Sequence, residues 1–68
     1  MMKEPRQRLR DAAQNGNARA QFRIGLMQTL GKAGFTKNDL EAFQWIKASA
    51  MQGHVDAIYS VLVHQHHF

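Results

Sequence analysis

The sequence predicts an all-α chain of about four helices, arranged as two stacked helix-turn-helix hairpins. Three observations carry that expectation. Apolar residues recur three and four apart over long stretches, the period of a helix buried on one face. Gly- and Asn-bearing segments interrupt those stretches at Asn15-Gly16-Asn17, at residues 31–37 and at Gln52-Gly53-His54. The chain also resembles itself at an offset of 37 residues. No strand pattern competes with this reading: Val61-Leu62-Val63 is β-prone but too short to build a sheet, and it has no strand partner.

The first helix is expected over 5–14. Pro5 suits its first turn, where a missing N–H costs nothing. Its apolar content is thin: Leu9, Ala12 and Ala13. Gly16 can adopt positive φ in the turn that follows, and Asn17 can cap the second helix, expected over 18–30. There Ala20, Ile24 and Met27 form one row, with Phe22 and Leu26 as a second. Gly25 lies in the middle of that helix, at a cost of about 1 kcal/mol relative to Ala, which points to another backbone passing close by. After a loop with Gly31 and Gly34, Asn38 and Glu41 have the spacing of a capping box. The third helix is expected over 39–51, with Ala42, Phe43, Trp45, Ile46 and Ala50 as its apolar residues. The fourth begins at Val55 and frays after His64.

The self-match pairs the first helix with the third and the second with the fourth. Gln7 falls on Gln44, Ala13 on Ala50, Gly16 on Gly53, Ala20 on Ala57 and Gln28 on Gln65. Leu9 and Ile46, Phe22 and Tyr59, and Ile24 and Val61 are similar pairs in the same register. The pattern describes a hairpin stacked on its own copy. Small residues at 13, 20, 50 and 57 allow close helix approach, and Phe22, Trp45 and Tyr59 are expected to fill the spaces between helices.

Residues 45–57, WIKASAMQGHVDA, resemble the signature of Sel-one-like repeats, a tetratricopeptide-like family of helical hairpins. Residues 12–25 are similar to the same stretch, and residues 34–39 resemble the family loop that opens the next helix. The resemblance spans about residues 8 to 63. It implies an array of helical hairpins, and it implies an adaptor that holds other proteins together. The sequence departs from the pattern where Leu62 stands in the register of Gly25, in a slightly longer loop, and in holding fewer than two full repeats.

Composition narrows the functional classes. Sixty-eight residues make one small domain over 1–68, with residues 1–4 expected outside the folded part. A domain this small gains little net stability from its core, on the order of a few kcal/mol, so a partner is a natural supplement. Cysteine is absent, which removes disulfides and thiolate metal sites and fits a reducing, cytoplasmic setting. No apolar run approaches the ~20 residues of a membrane span, and no secretory leader is visible. Nine Lys and Arg against five Asp and Glu give a net charge of +4, which favours an acidic partner.

The candidate sites follow from these patterns. Val55, Ile58, Tyr59 and Leu62 form one apolar stripe of the last helix; Ala57, Val61 and Phe68 form another. One stripe is needed for packing. The other, with Trp45, is the candidate protein-binding surface, for a protein partner or for a second copy in a homodimer. The competing reading packs both stripes into a four-helix cluster. Lys3, Arg6 and Arg10 share a side of the first helix and are the candidate contacts in the alternative reading, a small basic accessory protein that touches nucleic acid. No aromatic is interleaved with them. His64 and His67 share a helical face, yet a structural zinc site takes four ligands, so no metal ligand is assigned. No catalytic residue, cofactor or small-molecule substrate is expected either: Ser49 and Ser60 lie inside helices, and no Gly-rich phosphate loop follows a strand.

Overall fold

The computed structural model describes residues 4–65, the side chains of 64 and 65 excepted. It is all-α, with helices α1 (Pro5–Gln14), α2 (Ala18–Leu30), α3 (Asp39–Met51) and α4 (Val55–Gln65). Each helix packs chiefly on the one before it, α1 on α2, α2 on α3, α3 on α4. The outcome is an elongated layer of 45 × 23 × 14 Å.

Local chemistry sets the helix ends. Glu4 is extended at φ −66° and ψ 160°, the conformation that a following proline imposes. It serves as the N-cap residue of α1. Asn17 and Asn38 cap α2 and α3, their Oδ1 atoms accepting from Ala20 N–H at 2.9 Å and Glu41 N–H at 3.0 Å. The capping box at Asn38 is incomplete. Asn38 N–H donates to the Gln28 carbonyl of α2 at 3.0 Å, so the Glu41 carboxylate takes the Asn38 side-chain amide instead, at 3.4 Å.

The two tight turns make matching bonds 37 residues apart. Gly16 N–H donates to Ala13 O and Asn17 N–H to Ala12 O; Gly53 N–H donates to Ala50 O and His54 N–H to Ser49 O. Gly16 and Gly53 sit at φ +94° and +89°, a region open to glycine without strain. The correspondence extends to the caps. Ala57 N–H donates to His54 Nδ1 at 3.3 Å, as Ala20 N–H does to Asn17.

The core is thin. Its fully buried apolar residues are Ala13, Ala20, Ile24, Phe35, Ala42 and Ala57, with Leu9, Ala12, Met27 and Trp45 packed half-buried against the central cluster. Burying Ile24 or Phe35 is worth roughly 1.5–3 kcal/mol each, and the alanines contribute little beyond letting backbones approach. Among the described residues, three polar ones share the interior: Gln21, Gln28 and Ser49. Ser49 Oγ donates to the Ala18 carbonyl at 2.7 Å, Gln21 Nε2 donates to the Ala13 carbonyl at 3.1 Å, and Gln52 Nε2 donates to Gln21 Oε1 at 3.0 Å. Periodicity did not reveal this face of α2, because its buried positions are Gln21, Gly25 and Gln28.

Gly25 lies at the closest approach of α2 and α3. A Cβ there would be 3.0 Å from the Ala42 carbonyl oxygen and would overlap the Ile46 side chain. Helix propensity alone predicts that Gly25→Ala gains about 1 kcal/mol, whereas overpacking costs about 1–3 kcal/mol. We expect net destabilisation, read as a lower midpoint in thermal unfolding followed by circular dichroism; a higher midpoint would contradict the packing described.

Candidate functional site

The α4 stripes separate as helical geometry requires. Ala57 is fully buried and Val61 half-buried against α3. Val61 shares a groove between α2, α3 and α4 with Leu26, Phe43 and Ile46. The other stripe faces outward: Val55 is 75% exposed, Ile58 39%, Tyr59 69% and Leu62 50%. Val63, eight residues after Val55 and also exposed, extends it. The i, i+8 spacing from Val55 is the sequence signal for that placement.

Tyr59 does not fill an inter-helix space as expected. Its counterpart in register, Phe22, is half-buried because His54 from the next turn stacks on it, with centroids 5.0 Å apart. No described element follows α4 to cover Tyr59 in the same way. Phe68, expected on the inner stripe, lies outside the described residues, as do His66, His67 and the His64 side chain. Among the described residues, no three His, Asp or Glu converge as metal ligands would.

Trp45 divides its surface between two roles. It packs against the central cluster and borders a groove along α3 with Leu40, Gln44 and Ala48. Its buried Nε1 has no hydrogen-bond partner, nor has Gln28 Oε1 in α2.

The basic residues of α1 turn towards the α2–α3 loop. Arg6 donates to the Gly34 carbonyl at 3.0 Å and pairs with Glu4 at 2.8 Å. The hydrogen bond to Glu4, and then its charge, raises the Arg6 pKa above the ordinary value. Arg10 lies over the Phe35 ring, 5.0 Å from its centroid. Both arginines therefore spend their side chains on intramolecular contacts, and Lys3 lies outside the described residues.

No described helix is long and apolar enough to cross a membrane. No protein-family model matches the chain, and no curated protein or solved structure matches it.

Substitutions at two positions check these assignments. Trp45→Phe removes an unpaired buried donor with part of the ring, so its cost in chemical denaturation should stay below about 1 kcal/mol, far under the 3–5 kcal/mol typical of truncating a buried Trp to Ala. His54→Ala removes the α4 cap and should cost about 1 kcal/mol, while His54→Asn should restore most of the loss. Equal losses for the two His54 variants would show that the ring contact with Phe22, and not the cap, is what matters.

Proposed function

We propose that this chain is a protein-interaction module built from duplicated helical hairpins of the Sel-one-like type, and that the outer stripe of α4 docks a second copy of the chain. The exposed stripe of Val55, Ile58, Tyr59 and Leu62 is the observation that carries this reading. Such a surface is on the order of 500 Å², comparable to the largest, often functional, apolar patches on monomers. With a polar rim it approaches the ~800 Å² that each partner gives to a standard interface. The matching turns and caps 37 residues apart support the duplication.

Two features favour a second copy over other occupants. Leu62 stands in the register where Gly25 admits α3, so a helix cannot dock on α4 at the α2–α3 separation. The stripe calls for a partner that packs side chain against side chain, as two copies of α4 would when placed antiparallel. Moreover, α4 carries no Lys or Arg, so an acidic partner gains nothing there and two chains of charge +4 can meet with their basic surfaces apart. The alternative, nucleic acid held by the first helix, loses support because Arg6 and Arg10 are already engaged.

Sedimentation of the full chain should show a concentration-dependent dimer. Leu62→Asp and Ile58→Asp each place a charge in the interface and should weaken it at least about tenfold without loss of helical signal. A wild-type chain that stays monomeric at high concentration would overturn the reading.

A further inference from the structure

A second surface, on the opposite end of the array from α4, has a different chemistry. A groove of about 300 Å³ follows the seam between α1 and α2, floored by Leu9, Met27 and Phe35 and edged by Arg6, Arg8 and Arg23. Leu9 and Arg23 continue into a shallower section beside Asn17, where Arg19 joins the rim. Four arginines thus border these two adjoining sections, and no carboxylate lines either among the described residues. Glu4 pairs with Arg6, whose guanidinium is also tied back to the Gly34 carbonyl. Arg19 and Arg23 project from exposed positions of α2.

We propose that this groove binds an acidic peptide segment. One apolar side chain of the ligand would rest on Leu9 and Met27, and its carboxylates would pair with Arg19 and Arg23. Guanidinium groups suit this role because they bind carboxylates through two parallel N–H···O bonds. The floor argues against single-stranded nucleic acid, which needs flat aromatic faces for its bases. Phe35 is the one aromatic there; it is only 4% exposed, and the Arg10 guanidinium covers a ring face. The site lies on other helices than the α4 stripe, so the two can be tested separately.

The test is fluorescence anisotropy of the full chain with a labelled peptide of about eight residues, several glutamates around one leucine. Saturable binding is expected. Arg19→Glu with Arg23→Glu should weaken it at least tenfold, and so should Met27→Gln by several-fold, as should replacing the peptide's leucine with serine. Leu62→Asp should leave the affinity unchanged. Circular dichroism of the exposed double variant confirms that its helices persist. Absence of saturable binding, equal affinity in the double variant, or equally tight binding of a single-stranded oligonucleotide of matching charge would each overturn the proposal.

Discussion

The close passage of α2 and α3 at Gly25 is the constraint on which the rest of the structure depends. With no side chain at that point, the Ala42 carbonyl and the Ile46 side chain move into the space. That separation puts polar groups at both ends of the interface within bonding distance. At one end Ser49 Oγ reaches the Ala18 carbonyl, and at the other Asn38 N–H reaches the Gln28 carbonyl. A larger separation would strand Ser49, which is fully buried, and an unpaired buried hydroxyl costs about 1–3 kcal/mol. In a core made largely of alanines, a few such bonds are a substantial fraction of the stability available to a domain of this size.

The same constraint distinguishes the two ends of the array. α2 presents Gln21, Gly25 and Gln28 to α3, a face of small and polar residues that is covered and bonded through Gln21 and the Gln28 carbonyl. At the same positions 37 residues later, α4 carries Ile58, Leu62 and Gln65. Ile58 and Leu62 remain open to solvent. A glycine notch suits backbone packing; a leucine in its place suits packing through side chains at a wider spacing. The α4 surface is therefore of a different kind from the α2 surface, although both come from similar hairpins.

Charge is divided along the same axis. Arginines cluster on α1 and the first half of α2, where they border the seam groove and hold the α2–α3 loop through Gly34 and Phe35. α4 has none. The two proposed contacts, an acidic segment at the basic end and a second copy at the apolar end, would therefore not obstruct each other.

The sequence by itself determined the helices and their ends. Asn17, Gly16, Gly53 and Asn38 act through bonds within a few residues of themselves, so their roles were legible, and all four helices begin where they were expected. The mid-helix Gly25 also announced a close approach before its partner was known. Tertiary structure decided what local rules could not reach. It buried Gln21, Gln28 and Ser49, polar residues that periodicity assigns to solvent, because the turn after α3 supplies Gln52 to Gln21 and α2 supplies the Ala18 carbonyl to Ser49. It drew Arg6 and Arg10 onto a loop 25 to 28 residues away, and it left Tyr59 exposed where Phe22 is covered. Each of these outcomes turns on which distant group arrives beside the residue, and that depends on helix separation and stacking order, which no short stretch of sequence specifies.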